Sequence, residues 1–458
     1  MATSTCSADQ PLSRLARNFE LLALGAVLLV AGFLISQELS DRTNYDEGVY
    51  LASLDDLRHG DELGADVFAS QPPGFYVLLR FIGVFAGRSI EDIRLGMLVI
   101  GLIGVAAAYV IGRALAGRAG GFAAAALVIA APPFAADAAR IQADGPSIAL
   151  ALSSLAIAAR WFRREGLVGP AAAGAIAAVA ISVKLLALPV VVPLAVLGAR
   201  RRIGGRGFAA AALGVVVIAA VFAIAYVHVL PELWRDAVTF HRHARAFSGG
   251  TSSGRRVVDY FAVRTPTTWA ALAGLVVAIL LRRQLAPWAW VAAALVFLVV
   301  QVPLLDHHFV LLAAALGVAA GTSLGSVRGR FIDVAVICAG LIALGGWIQD
   351  YRAIHRSRQP ESSEVRTAAN LVRTLTKPGA RVASDLPIVP YLADRLVPGE
   401  LVDTSAVRLA SGSLKPQDVR RTNASVYVAG REFLRYPATI RGLSLVTKVG
   451  GIEILRRP

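Results

Sequence analysis

An all-α protein that crosses a membrane about eleven times and ends in a small α/β domain is what this sequence predicts. Three observations carry that prediction. The 458 residues are 56% hydrophobic and only 17% charged, with a mean hydropathy of +0.61, whereas soluble domains are about a quarter charged. Continuous apolar runs, long enough to cross ~30 Å of hydrocarbon, recur from residue 20 to about 348. Short Arg-bearing loops separate these runs, and membrane barrels instead show alternating segments of about ten residues.

The first run, Phe19 to Ser36, is long for the apolar stretch of a cleaved signal and no small-residue cleavage site follows it. It reads as a retained first helix. Arg14 and Arg17 precede it, which puts the N-terminus on the cytoplasmic side and the following loop outside. Residues 37–94 hold eleven acidic residues against five Arg, as suits an external loop. Within this loop, "QPPGFYVLLRFIGVFAG" is too short to cross and is interrupted by Arg80. An amphipathic helix lying in the interface is expected there.

With that stretch not crossing, the later spans fall at about 95–112, 120–136, 146–160, 167–183, 185–199, 207–229, 267–281, 286–305, 309–326 and 331–348. Arg113 and Arg118, Arg160 to Arg164, Arg200 to Arg206, Arg282 and Arg283, and Arg328 and Arg330 then all lie in cytoplasmic connections. Counting 75–87 as a span would put every one of these clusters outside. The N-terminus is therefore expected inside and the C-terminus outside, in a multi-pass protein of the plasma membrane.

From about residue 355 the pattern changes. "ARVASDLPIVPYLADR", "ELVDTS" and "ASVYVAG" alternate short β-branched strands with helical pieces punctuated by Pro and Gly. "LSLVTKVGGIEILRRP" reads as a hairpin turning at Gly450-Gly451. The chain divides into a membrane module, 1–350, and an extracytoplasmic α/β domain, 351–458.

The net charge of +15 does not indicate nucleic acid, because the Arg residues sit in the short loops where topology places them. Only four Lys accompany them, and with abundant Ala and Gly this points to a GC-rich, bacterial genome. Cys6 lies in the N-terminal tail and Cys338 in an apolar span, so they are not expected to pair. The sequon at Asn423 reads as chance in such a protein.

Charged groups at the external mouths of spans are costly near hydrocarbon unless they have a partner or a task. "NYDEGVY" places Asp46 and Glu47 between Tyr45 and Tyr50 as the chain leaves the membrane. A solvated loop start would explain them; so would a pocket in which a carboxylate at an apolar boundary has its pKa raised toward that of a general base. Arg94 opens the second span, where it could simply reach toward lipid phosphate. Arg140 and Asp144 share the next external turn, Asp144 also suiting a helix cap before Gly-Pro. Lys184, the only Lys of the membrane region, lies at the turn after that.

The loop from 230 to 265 is basic although external: His241, Arg242, His243, Arg245, Arg255 and Arg256 suit a phosphate-bearing ligand. Asp306, His307 and His308 join at a later external turn. No metal site is assigned, although one built from these His residues and Asp46 stays open. Carboxylates beside phosphate-binding cations at a membrane surface suggest transfer chemistry on a lipid-linked phosphate.

The order of these features resembles the GT-C superfamily of glycosyltransferases: one span, an acid pair, "QPPGFYVLL", an Arg opening the second span, then "AARIQADGPS". It most resembles the branch of protein O-mannosyltransferases and lipid A aminoarabinose transferases, over roughly residues 20 to 200. Gln71 stands where that branch usually has His. The resemblance implies a polyprenyl-phosphate sugar as donor, transferred to a hydroxyl of a lipid, glycan or protein on the extracytoplasmic side. Carried over, Asp46 is the catalytic base and Glu47 orients the acceptor. Arg94, Arg140 and Lys184 would hold the donor phosphate and Asp144 would shape the pocket; to these the reading of the residues adds Arg255 and Arg256 of the basic loop for the phosphate, and Tyr45 and His307 for the pocket. No cofactor is required on this reading, and metal use varies across the superfamily. A transporter or flippase for an anionic lipid, or an inactive scaffold, is the alternative; a transporter predicts inverted repeats and charges near the midplane, and neither is evident.

Overall fold

The computed structural model describes residues 14–161, 166–199, 204–247, 252–263, 265–327 and 331–458. Each expected apolar segment is helical. The first is α1 (Arg14–Ser36), followed by α2 (Tyr45–Arg58) and α3 (Pro73–Phe85) in the loop between α1 and the next long helix. Then come α4 (Ile90–Ile129), α5 (Pro132–Asp137), α6 (Asp144–Trp161), α7 (Val168–Val183), α8 (Val191–Ala199) and α9 (Gly204–Ala225). Two short helices, α10 (Leu230–Trp234) and α11 (Phe240–Ala244), lead to α12 (Ser253–Ala262), α13 (Pro266–Leu281), α14 (Leu285–Val300), α15 (Val310–Leu324) and α16 (Phe331–Ser357).

Two expected spans run on as one element in α4, which is broken at Gly117 with φ +79°. Only Gly enters that region without strain, so the chain turns there while keeping helix on both sides. Five described helices, six with α12 and α13 taken together, are long and apolar enough to cross a membrane by themselves. The expected total of about eleven therefore rests on shorter helices, such as α7 and α14, carried by their neighbours. The stretch expected in the interface is α3, 13 residues and so about 20 Å long, well short of the hydrocarbon. It buries Phe75, Leu79 and Ile82 and exposes Val77, Phe81, Val84 and Phe85.

The bundle has two chemically distinct ends. At one end Arg113 and Arg118 both pair with Glu20 near the start of α1. At the other, beyond the end of α1, Arg140 pairs with Glu38 and Asp41. The interior between them is built largely on α4, α6 and α15, and α15 is buried along its whole length.

The C-terminal region contains α17 (Ser363–Leu375), α18 (Ile388–Leu392), α19 (Ala406–Ala410) and four strands: β1 (Val382–Ser384), β2 (Val426–Ala429), β3 (Ser444–Val449) and β4 (Ile452–Arg456). The sheet order is β1-β2-β4-β3, with β1 and β2 parallel and the other pairs antiparallel. The expected hairpin is the β3–β4 pair, turning through Gly450 at φ +58°. The core of this region is continuous with that of the loop carrying α2 and α3. Leu51, Leu54, Phe75 and Leu79 of α2 and α3 share one buried cluster with Val389, Val426, Tyr427 and Ile454. The two approach closely at Gly399, where a Cβ would lie 2.4 Å from the Asp66 carbonyl oxygen, and at Gly48, where one would lie 3.1 Å from the Ile388 backbone nitrogen.

Asp56 is buried in this seam, and neither of its carboxylate oxygens has a hydrogen-bond partner. Arg381 Nη1 is 3.9 Å away, its Nη2 being spent on Asp61 at 2.6 Å. Burial pushes the Asp56 carboxyl up to about 8. A carboxyl raised on folding contributes stability that is full at low pH and is lost as pH rises toward its folded pKa. Asp56→Asn removes that loss. Its melting temperature relative to wild type is expected to climb between pH 5 and 8 and then level off; a difference independent of pH would show that Asp56 does not titrate there.

Candidate active site

The acid pair is divided by the first turn of α2. Asn44 caps the helix, its Oδ1 accepting from Glu47 N at 2.8 Å while Glu47 Oε2 accepts from Asn44 N at 3.2 Å. This reciprocal cap fixes the start of the helix. Successive helical residues point about 100° apart, so Asp46 and Glu47 diverge.

Glu47 turns inward and is fully buried. Its Oε1 accepts from Arg94 Nε at 2.9 Å and Ile141 N at 3.0 Å, and its Oε2 accepts from Arg94 Nη2 at 2.7 Å. Arg94 is buried as well, and its Nη1 donates to the carbonyls of Glu38, Leu39 and Asp41. Arg94 thus spends its donors tying the end of α1 to α2. The expected donor-phosphate role for Arg94 and acceptor role for Glu47 do not fit this geometry.

Asp46 faces a cavity of about 380 Å³. Its lining includes Tyr45, Tyr50, Gln71, Gln142, Asp144, Lys184, His241, Arg242, Arg245, His307 and His308, together with Asp403 and Ser405 of the C-terminal domain. Among the described residues Asp46 forms no hydrogen bond or ion pair. Burial raises its pKa; His307 and Lys184 oppose the shift, and Asp403 and Asp144 add to it. Burial also lowers the His241 pKa, and the ring shares a 2.9 Å hydrogen bond with the Ser70 carbonyl through Nε2.

Lys184 lies at the non-helical break after α7, its Nζ donating to Asp144 Oδ2 at 2.6 Å. Asp144 Oδ1 is buried without a hydrogen-bond partner. Asp144, His307 and His308 bring potential ligand atoms within 4.8 Å of one another. The tautomer of His308 argues against a metal there. Its Nδ1 accepts from Leu305 N at 3.1 Å, so the neutral ring carries its proton on Nε2, as a donor. With Lys184 also on Asp144, these residues do not fit a resident divalent ion and suit an anion better.

The remaining expectations divide. Lys184, Tyr45, Asp144 and His307 line the cavity with Asp46. Arg140 does not; it is held by Glu38 at 3.0 Å and Asp41 at 3.3 Å. Arg255 pairs with Asp259 one turn along α12, and Arg256 with Asp306; neither is in the lining. The basic loop instead contributes Arg242 and Arg245. Gln142 lies inside the "ARIQADGPS" motif and could have been taken from it; no signal in the sequence marks Asp403. A larger cavity of about 880 Å³, lined in part by Arg94, Asp41 and Arg366, does not include Asp46.

Sequence and fold point the same way. Residues 70–227 match the family model described as dolichyl-phosphate-mannose-protein mannosyltransferase, in line with the resemblance read from the motifs, and the fold is shared with solved membrane-enzyme structures. In particular, the chain is similar to ArnT from Cupriavidus metallidurans, solved with undecaprenyl phosphate, with TM-score 0.70 and 14% identity over 96% of this chain and 98% of that one. It is similar also to the apo oligosaccharyltransferase of Archaeoglobus fulgidus, with TM-score 0.62 and 13% identity over 93% of this chain and 72% of that one. No curated protein matches the sequence.

Proposed function

We propose that this protein is a glycosyltransferase that moves a sugar from a polyprenyl-phosphate donor to a hydroxyl acceptor on the extracytoplasmic side, with Asp46 as base. The observation that carries the reading is the contrast within the acid pair. Glu47 is consumed by Arg94, whereas Asp46 stands without a hydrogen-bond or ion-pair partner among the described residues, in a cavity whose other groups are mostly donors and cations. The lipid phosphates in the similar structures, undecaprenyl phosphate in one and dolichol phosphate in another, support a donor of this class.

In the reaction, the acceptor oxygen attacks the anomeric carbon while Asp46 takes its proton. The bond from that carbon to the phosphate oxygen breaks, and the lipid phosphate leaves with an added negative charge. Lys184, Arg242 and the Nε2–H of His308 are placed to meet that charge, and fixed donors act most strongly where charge grows. The apolar lining, including Leu185, Phe297 and Leu305, suits the first part of a polyprenyl chain. No step calls on a metal.

The test is a transfer assay with the full-length protein in membranes, using radiolabelled polyprenyl-phosphate sugars and a membrane extract as acceptor. Label is expected to pass to an acceptor from at least one donor; failure with every donor would overturn the reading. Within the same assay, Lys184→Met is expected to lower kcat/KM for the donor about a hundredfold, with Lys184→Arg recovering part of the loss. An unchanged donor kcat/KM in Lys184→Met would assign the Lys to Asp144 alone.

A further inference from the structure

The cavity wall beside Asp46 is completed from the far end of the chain. Tyr45, the residue before the base, donates through its hydroxyl to Asp403 Oδ1 at 3.0 Å and accepts from Thr404 N at 2.8 Å. Ser405 N also donates to Asp403 Oδ1, at 2.9 Å. Both protein donors to this carboxylate therefore use the same oxygen. Asp403 is only 7% exposed, yet it lines the cavity together with Ser405.

The segment that carries Asp403 is held firmly. Arg408 donates to the carbonyls of Glu400 and Asp403, both at 2.6 Å, and its guanidinium lies 3.5 Å from the centre of the Phe68 ring. Phe68 N in turn donates to the Gly399 carbonyl at 3.1 Å. A loop fixed on both sides holds its side chains in place without the ligand having to order them, which lowers the entropic cost of binding. Asp403 is near enough to Asp46 to act on it electrostatically.

We propose that Asp403, with Ser405 beside it, binds a second hydroxyl of the acceptor, so that the C-terminal domain selects acceptors bearing neighbouring hydroxyls over simple alcohols. This rests on the transferase reading above. The base must be ionised to accept a proton, and a second carboxylate at its side would repel an anionic acceptor group. Hydroxyls suit that wall, because each can donate to a carboxylate oxygen: one to Asp46, which takes its proton as the oxygen attacks, and one to Asp403 Oδ2. The Ser405 hydroxyl can then donate to an acceptor oxygen between them.

The test uses the full-length protein with the polyprenyl-phosphate sugar that wild type accepts, and two acceptor probes. One is n-octanol; the other is the octyl ether of glycerol, which presents a vicinal diol on the same tail. Wild type is expected to favour the diol in kcat/KM. Asp403→Asn keeps Oδ1 as an acceptor for Tyr45 and Ser405 but turns the other oxygen into an amide donor. It is expected to lower the diol-over-alcohol ratio about tenfold or more, the value of a hydrogen bond to a charged group. Tyr45→Phe, which removes a donor to Asp403 Oδ1 but leaves the Oδ2 atom and its charge in place, should retain the preference for the diol.

A ratio unchanged in Asp403→Asn, or a wild type without preference, would overturn the acceptor role while leaving the transferase standing. Absence of transfer by wild type to either probe or to membrane extract would remove both.

Discussion

Asp46→Asn is expected to lower sugar transfer by about a hundredfold to ten-thousandfold, the range that a positioned general base contributes, while the protein remains folded. The reason for expecting intact folding is specific. Asp46 makes no bond to any described residue, so the amide disturbs no partner, and the helix is fixed by Asn44 and Glu47 on either side of it. Wild-type transfer should also show an acid limb at a higher pH than an ordinary carboxylate gives. Burial raises the Asp46 pKa, the base works in its ionised form, and activity is therefore lost as pH falls through that raised value. The measurement is transfer rate against pH for wild type, with the donor KM of the variant alongside. Transfer unchanged in Asp46→Asn would remove the base from the mechanism and favour a transport role for the cavity.

Arg94→Met is expected to destabilise the fold by about 3–5 kcal/mol, as breaking a buried ion pair from one side does. Arg94 and Glu47 are 2% and 0% exposed, so removing the guanidinium strands a carboxylate in the interior and takes a donor from four backbone carbonyls. Glu47→Gln retains its acceptor oxygen and should cost less. The double variant Arg94→Met with Glu47→Leu should be more stable than Arg94→Met alone, because no buried charge then lacks a partner. Thermal unfolding of the detergent-solubilised variants decides the matter. If Arg94 instead met the donor phosphate, Arg94→Met would unfold like wild type and lose only donor affinity.

These two expectations show what the residue order does and does not disclose. The apolar helices were legible because hydrocarbon imposes continuous apolar runs, and the Arg clusters are the sequence's argument for which connections share a side. That α3 is too short to cross was legible from its length and from Arg80 within it. Glu47 was partly legible: Asn44 and Glu47, three residues apart, are a helix-capping signature, and a helix starting there must send neighbouring acids in different directions. Likewise Arg255 and Asp259 sit one turn apart, the spacing of a surface pair. Arg140 could not be placed from sequence, since its partners Glu38 and Asp41 lie about a hundred residues away across a bundle end. Asp403 was the least legible, because its position depends on how a whole domain seats on α2.

That seating also bears on the order in which the protein is made. Tyr45 and Asp403 are 358 residues apart in the chain, and synthesis runs at about 5–20 residues per second. The helix bearing the base therefore leaves the ribosome roughly 20–70 seconds before the surface that covers it exists. During that interval Leu51, Leu54 and Leu57, all buried in the finished protein, must be sheltered by the bilayer surface or by a chaperone. A nascent chain truncated before residue 380 should accordingly be a substrate for quality-control proteases, and the catalytic wall would be complete only in molecules whose translation had finished.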